Sequence, residues 1–340
     1  MAYIEHTPVK PEKLAAAAVQ LLDREVVVPS LFTKKSVDDF KGAADDTLNM
    51  KVPGVLPFHE YAWRNDRSTP LVTDEYAERK ISVSFGGNFY SAVQLTDEQY
   101  EFDFASGWGK LLAAQARAVG RGLEHGAVST LEGADYEVEI SAAARGGISE
   151  ALVEARRVLN RFNVPGGTRT LLVGSDFDAE MQNEEKFNLA LNVGDANANT
   201  ALKEASIGRW KGFNIITSNE IAADAAYAFV PSAFVFLNAA PAVPQSVGDG
   251  ATASFNNVSL RWIRDYNAEY LYDRSVVNTW AGFDVVTDVL RGMGTDGNEV
   301  VSTGEYFVRG VKLSLDGAEV YPEAGSEVAD ITGVTALAGS

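Results

Sequence analysis

From Tyr100 onward the chain places apolar residues at three- and four-residue steps: Tyr100, Phe104, Trp108, Leu111, Leu112, Ala116, Val119 and Leu123. That period predicts one apolar face on a long helix over residues 96–129. Thr96-Asp97-Glu98-Gln99 fits a capping box, in which the Thr hydroxyl and the Gln side chain each satisfy an orphan amide of the first turn. No proline falls between Pro70 and Pro165, so nothing obliges the helix to break. Gly107, Gly109, Gly120 and Gly122 each cost about 1 kcal/mol relative to Ala in a helix interior, which implies a close backbone approach or a bend. At ~1.5 Å per residue the helix would span on the order of 50 Å, longer than a small domain is wide.

The preceding residues, 46–95, have a different texture. Lys80-Ile81-Ser82-Val83-Ser84-Phe85 alternates polar and apolar, as does the shorter Leu48-Asn49-Met50-Lys51-Val52. Pro53, Gly54 and Pro57 punctuate the first half, and Asn65-Asp66-Arg67-Ser68-Thr69-Pro70 supplies a polar tip. A hairpin with one apolar face cannot stabilise itself, so this one is expected to lie on a neighbouring copy of the chain. Arg64, Arg67, Arg79 and Lys80, near the tip and its returning strand, are expected to meet acidic surface on that neighbour. Residues 1–45 read as an arm whose helix starts at Pro11. Leu14, Ala17, Ala18, Leu21 and Leu22 share one face, and Leu14, Leu21 and Leu22 are expected to contact an adjacent subunit. The alternative is an ordinary terminal helix on its own core.

Beyond the long helix, Tyr136-Glu137-Val138-Glu139-Ile140 predicts a short strand. A helix capped by Ser149 follows, with Leu152, Ala155, Leu159 and Phe162 spaced for one buried face. Strands are expected at 169–173, 212–217 and 233–237, with a short helix from Asp176, so that residues 145–245 make a compact α/β unit. From Ala251 the pattern turns β-rich. Residues 259–264 are expected to pair with 282–289, residues 305–321 to form a hairpin turning at Asp316-Gly317, and residues 323–340 to be a flexible tail.

Composition narrows the function. The 340 residues include 29 basic and 47 acidic side chains, a formal net charge of −18. This argues against a sequence-independent nucleic-acid binder, which needs a basic surface, and favours solubility. With 46% apolar and 22% charged residues the chain is a folded one, not a disordered one. Zero cysteines exclude disulfides, thiolate metal sites and thiol nucleophiles. None of the three histidines, His6, His59 and His125, adjoins a G-x-S-x-G elbow or a Walker loop. Gly292-Met293-Gly294-Thr295-Asp296-Gly297 matches G-x-G-x-x-G, but Asn298-Glu299-Val300-Val301 follows where the fingerprint needs a helix, so it reads as a loop between strands. Asp176, Asp178 and Glu180 imitate a calcium loop, yet Met181 stands where glycine is required; a solvated helix start is the better account. The chain therefore reads as non-enzymatic, with no cofactor or metal. It has no secretory leader pattern and no apolar run near the roughly 18 residues of a membrane span, so it is expected to be soluble and made in the cytosol.

The order of arm, extended hairpin, long helix, α/β domain and returning strands resembles the major capsid proteins of tailed bacteriophages with the Hong Kong 97 fold. Local text adds to it. Pro11-Glu12-Lys13-Leu14 with Ala15-Ala16-Ala17-Ala18-Val19-Gln20-Leu21-Leu22 looks like the arm opening of the branch that includes the coat protein of Salmonella phage P22. Residues 164–174 and 207–215, Val-Pro-Gly-Gly-Thr-Arg-Thr-Leu-Leu-Val-Gly and Ile-Gly-Arg-Trp-Lys-Gly-Phe-Asn-Ile, look like strand entries of its axial domain. The extra inserted domain of that coat protein has no counterpart between Gly194 and Ser206.

The resemblance implies an α+β fold with an N-terminal arm at 1–45 and an extended loop at 46–95. A peripheral domain with its spine helix would take 96–144 and 251–299, an axial domain 145–250, and a C-terminal extension 300–340. It implies a structural protein that assembles through hexamers and pentamers into an icosahedral head enclosing double-stranded DNA without sequence-specific binding. The implied location is the virion capsid, assembled in host cytoplasm, with no membrane association. Implied partners are a portal protein, a decoration protein and a scaffolding protein. The scaffold is expected to be a separate chain, because Met1 stands just before the arm where a removable scaffold segment would otherwise precede it. Some capsids of this fold crosslink a loop lysine to an asparagine; Lys51 and Lys80 have no recognisable acceptor context and read as solvated. Two other readings share parts of this pattern: an encapsulin-like nanocompartment shell, and a soluble hydrolase or ligand-binding protein.

Overall fold

The computed structural model describes residues 11–36, 47–52, 54–61, 63, 68, 70–76, 78–99, 107–184, 208–293 and 299–335. Its helices in chain order are α1 (Pro11–Glu25), α2 (Val28–Leu31), α3 (Gly107–Glu132), α4 (Ala142–Arg145), α5 (Ile148–Arg161), α6 (Ser175–Asn183) and α7 (Glu327–Thr332). The strands begin with β1 (Thr33–Ser36), β2 (Thr47–Val52), β3 (Arg79–Ser84), β4 (Gly87–Thr96), β5 (Glu139–Ser141), β6 (Thr170–Val173), β7 (Arg209–Trp210) and β8 (Phe213–Thr217). They continue with β9 (Ala225–Phe229), β10 (Phe234–Ala239), β11 (Asp249–Phe255), β12 (Val258–Asn267), β13 (Tyr272–Val285), β14 (Arg291–Met293), β15 (Glu299–Val301) and β16 (Gly310–Ser314). The chain forms two compact units, one of Met1–Leu48, Ser82–Thr130 and Val235–Asp284, the other of Asn49–Ile81, Leu131–Phe234 and Val285–Ser340.

The first unit is a six-stranded sheet in the order β1-β10-β13-β12-β11, with β4 also on β13. β13 is paired on both edges over its first half. One edge carries β12, from Arg261↔Asn278 to Asn267↔Tyr272, and the other carries β4, from Thr96↔Tyr272 to Gly87↔Ala281. The expected pairing of 259–264 with 282–289 is thus corrected: the turn at 268–271, closed by Leu271 at φ 51°, opposes 261–267 to 272–278. β4 is likewise a strand of this sheet, where the sequence placed residues 87–95 in the extended loop.

Where β12 leaves β13, β10 takes its place, and buried Asn238 joins the two. Its Nδ2 donates to Thr279 Oγ1 (2.8 Å) and the Trp280 carbonyl (3.3 Å), its Oδ1 accepts from the Ser259 N–H, and Thr279 Oγ1 donates to the Ser259 carbonyl (2.7 Å). Every polar atom of this side chain removed from water is thereby paired, as burial demands.

α3 buries Leu112, Ala116, Val119, Leu123 and Ala127, at the spacing read from sequence. Gln115 fixes the helix to two strands: Nε2 donates to the carbonyls of Ser91 (3.1 Å) and Ser275 (3.0 Å), and Oε1 accepts from Ser275 Oγ (2.8 Å). Further along, a Cβ at Gly122 would lie 2.9 Å from Phe89 and one at Gly126 would lie 2.6 Å from Phe283, so aromatic rings of β4 and β13 approach the helix backbone directly. Thr96 and Gln99 make the reciprocal capping bonds (3.3 and 3.4 Å), but on a helical turn at 97–99; residues 100–106 lie outside those described, and α3 itself begins at Gly107. Its 26 residues span about 39 Å at the standard rise.

The arm departs most from expectation. α1 turns Ala15, Ala18, Val19 and Leu22 inward and packs on β11 and β12 of its own chain. Leu22 is fully buried there, while Leu14 and Leu21 are half-buried. Leu22 therefore has no surface to offer a neighbour. Beyond α1, the buried carboxylate of Glu124 on α3 accepts the N–H of Val27 (3.0 Å) and of Val28 (2.9 Å), satisfying orphan donors at the start of α2. β1 then adds in parallel to β10, from Thr33↔Val235 to Ser36↔Asn238.

The second unit is a sheet ordered β5-β16-β9-β6-β8-β7. β6 and β9 are buried at every position, which accounts for continuous apolar runs in place of alternation. α5 buries Leu152, Ala155, Val158 and Leu159, and α6 buries Phe177 and Met181. The residue preceding α5 is Gly147, so Ser149 lies inside the helix and does not cap it. Tyr136, Tyr227, Phe229, Phe234 and Phe307 form one aromatic cluster with neighbouring centroids 5.2–5.6 Å apart. The predicted hairpin at 305–321 is absent: β16 is an interior strand, parallel to β5 and antiparallel to β9. Residues 323–335 are not a loose tail either. Ser326 caps α7, and Val328, Ala329 and Val334 are buried.

Leu22→Ala is expected to destabilise the unassembled subunit by about 2–5 kcal/mol, in the range for a buried leucine that leaves a cavity. Urea denaturation followed by circular dichroism reads this directly, and deletion of residues 1–28 is expected to impair folding itself. Wild-type stability in either variant would return α1 to the role of an appendage.

Candidate assembly surfaces

Residues 54–76 of the second unit carry no regular secondary structure where described. Proline supplies part of the reason, since Pro57 and Pro70 lack the N–H a ladder needs. The segment holds its large apolar side chains in solvent: Leu56, Phe58, Val72 and Tyr76 are exposed, Leu71 is 70% exposed and Trp63 is 92% exposed. Full burial of one such side chain is worth about 1.5–3 kcal/mol. Several of them lie close together in one short segment, and contiguous exposed apolar surface of this kind is a feature of interaction sites. Contacts that restrain the segment include the Phe58 N–H donating to Glu299 Oε2 (3.0 Å) and His59 Nε2 lying 2.8 Å from Asp74 Oδ2. β2 and β3, at its ends, pair with each other.

Of the sequence-predicted contact residues, Lys80 is exposed on β3, and Arg79 precedes it in the same strand. Arg64 and Arg67 lie outside the described residues. Leu14 and Leu21 retain partial exposure, and Leu22 none.

A surface of the first unit escaped the sequence reading. At the β12–β13 turn Tyr266, Tyr270 and Leu271 are exposed, with Tyr270 stacked on Tyr272 at 6.2 Å between centroids. The Tyr266 hydroxyl donates to Asp97 Oδ2 (3.0 Å), and that bond holds its pKa above the ordinary tyrosine value. The available signal was three tyrosines around Asn267-Ala268-Glu269, too polar and too short to belong to a core strand.

Charged groups elsewhere in the second unit brace it internally. Arg145 forks onto Glu319 (2.6 and 2.8 Å) and donates to Tyr321 Oη (2.8 Å); Tyr321 Oη donates to Glu154 Oε1 (2.9 Å), which Arg157 also grips (2.7 Å). Burial pushes the Glu154 carboxyl up, but the hydrogen bonds from Arg157 and Tyr321 outweigh it and leave the pKa below the ordinary value. Glu327 is lowered to about 2 by the Thr303 N–H, then by the Tyr306 hydroxyl. Among the described residues no group of histidines and carboxylates could hold a metal ion, and no helix is long and apolar enough to cross a membrane. Gly292 has a packing role: a Cβ there would lie 2.0 Å from the Ile331 carbonyl of α7. β14 and β15 pair across the rest of that motif, as a loop between strands requires.

Both Glu154 and Glu327 have depressed pKa values when folded, so their stabilisation is full above the unfolded carboxylate pKa and is lost as pH falls through the folded value. Tyr321→Phe removes one donor from Glu154. The acid-unfolding midpoint, followed by circular dichroism, is expected to move to higher pH in that variant, and an unmoved midpoint would separate Tyr321 from the acid response.

Comparison with known proteins adds the family. The sequence pattern of a family described as phage capsid protein matches residues 89–321. No curated protein matches the chain. Among solved structures, a chain from Mycobacterium phage Che8 aligns with a TM-score of 0.57 at 14% identity, covering 86% of this chain and 92% of that one. The capsid structure of cyanophage P-SCSP1u gives 0.58 at 10% identity, covering 94% and 93%. The asymmetric unit of the bacteriophage PhiM1 mature capsid gives 0.57 at 11% identity, covering 85% and 86%. At these identities the structures establish a shared fold.

Proposed function

The chain belongs to the phage capsid protein family, and from that premise we propose that its copies join as hexamers and pentamers into a closed icosahedral shell of the Hong Kong 97 type around double-stranded DNA. It is a major capsid protein, a structural component of the virion. The observation that carries the shell reading is the strip of apolar side chains held in water at 54–76, above all Trp63. A neighbouring copy supplies the burial this strip lacks. In this reading the first unit takes the peripheral place and the second the axial place near capsomer centres. Lys80 with Arg64, Arg67 and Arg79 meets carboxylates of an adjacent subunit, which a chain of net charge −18 presents wherever copies touch. A separate scaffolding protein, a portal and a decoration protein complete the particle, and the reading assigns the chain no catalytic step.

Coexpression with the scaffold, followed by size-exclusion chromatography and negative-stain microscopy, is expected to show megadalton particles; persistent monomers under every condition would overturn the shell. Arg64→Glu with Arg67→Glu is expected to lower particle yield or the salt concentration at which shells dissociate, with the subunit's melting temperature nearly unchanged. Exposed ion pairs contribute only about 0–1 kcal/mol each, so the effect appears through repetition across the shell. Wild-type yield and salt tolerance in the double variant would remove these arginines from the contact.

A further inference from the structure

The second unit contains a cavity of about 280 Å³ to which the shell reading gives no role. Its lining comes from the end of α5, the start of β14, the residues on either side of β9 and β16, and Val55 at the start of the exposed strip. Three arginines line it, Arg161, Arg291 and Arg309, against one carboxylate, Asp288. Arg309 Nη2 donates to Asp288 Oδ1 (2.7 Å), its Nε donates to Oδ2, and its Nη1 donates to the Ser232 carbonyl (2.8 Å). That fork occupies both oxygens of the one acid. Arg161 and Arg291 are exposed, and among the described residues neither guanidinium has a hydrogen bond or a carboxylate partner. A Cβ at Gly333, next to Thr332 in the wall, would lie 3.2 Å from Arg161 Nη1, which places that guanidinium at the cavity.

The backbone does not oppose an anion here. The end of a helix presents carbonyls, but those of Val158, Leu159 and Asn160 accept from the N–H groups of Phe162, Val164 and Asn163. The carbonyls of Val164 and Pro165 accept from the guanidinium of Arg169 (2.6 and 3.3 Å), a buried cation that adds positive charge behind this turn. A guanidinium presents paired N–H donors that match two oxygens of a phosphate. Val55, Val164 and Val289 supply apolar wall, so a ligand with an apolar body beside its charge gains more than a bare ion. We propose that the cavity binds a small phosphate ester, its dianionic group held by Arg161 and Arg291 and its apolar part set against the valines. The volume, near the lower end of about 300–1,000 Å³ for ligand pockets, fits a ligand of that size. A ligand seated there bridges α5, β14 and Val55 and so fixes the start of the exposed strip. The inference goes beyond the shell reading and does not depend on it.

The test is isothermal titration calorimetry of the purified full-length subunit with phenyl phosphate at low ionic strength. Arg161→Gln with Arg291→Gln is expected to weaken binding about tenfold or more, since each change removes charge-assisted hydrogen bonds. Both side chains are exposed, so the melting temperature is expected to stay near that of wild type. Arg121→Gln with Arg209→Gln, at exposed positions outside the cavity lining, makes the same change in net charge and is the control. A second readout needs no variant. Phenyl phosphate at about ten times its Kd is expected to slow amide hydrogen exchange at residues 54–58 of the wild-type chain by up to about tenfold. No binding by wild type, equal loss in the control, or unchanged exchange at 54–58 would overturn the site. Glutarate binding as tightly as phenyl phosphate would overturn the phosphate assignment and give the cavity to carboxylates. Particle formation is scored separately by microscopy: particles built from a chain that does not bind phenyl phosphate overturn the cavity alone, whereas absence of particles overturns the shell.

Discussion

The first unit depends on one strand being paired along both edges. β13 holds β12 on one side and β4 on the other through residues 272–278, then continues beside β10. A strand that changes neighbours leaves ladder groups unpaired at the change, and a buried N–H or carbonyl without a partner costs about 1–3 kcal/mol. Asn238 and Thr279 occupy that point and pair the groups around Ser259. The platform on which α3 rests is continuous because of them. Gln115 uses both ends of its amide to grip two of the strands so joined. Removing the Asn238 side chain would break three hydrogen bonds at once, one of them to the fully buried Thr279 hydroxyl.

In the second unit the corresponding role falls to charge. Arg145, Glu319, Tyr321, Glu154 and Arg157 form one chain of hydrogen bonds linking α4 and α5 to the residues after β16. Half-satisfied buried charges are strongly destabilising, and fully satisfied ones restrict the core to one arrangement. A capsid subunit benefits from that restriction, since many copies must present the same surface. The strip at 54–76 contrasts with this bracing: where described it has no regular secondary structure and holds Leu56, Phe58, Trp63, Leu71, Val72 and Tyr76 exposed.

Helices with a complete apolar period were legible in the sequence. Leu112, Ala116, Val119 and Leu123 of α3, and Leu152, Ala155 and Leu159 of α5, are buried as their spacing required. Short strands buried on both faces were harder, because they do not alternate: Gly310–Ser314 reads as half a hairpin until β5 and β9 are seen on either side of it. α1 was ambiguous for another reason. An alanine-rich face says that something packs closely but not whether it belongs to the same chain, and the buried Glu124 that ties the following segment down is an isolated acid in sequence. The tyrosines at the β12–β13 turn went unread because exposure, not period, marks them. Of the candidate contact residues, Leu22 proved internal, Lys80 exposed, and Arg64 and Arg67 lie outside the described residues.

The two units are interleaved along the chain, with the first assembled from Met1–Leu48, Ser82–Thr130 and Val235–Asp284. Synthesis proceeds from one end, so α1, though made first, has no β11 or β12 to rest on until those strands emerge more than two hundred residues later. The second unit closes later still, when Tyr321 reaches Glu154. A nascent chain therefore holds neither finished surface for most of its time on the ribosome. Contacts of such long sequence separation form slowly. For a subunit that assembles with its copies, this order of closure means that only a completed chain carries both finished units.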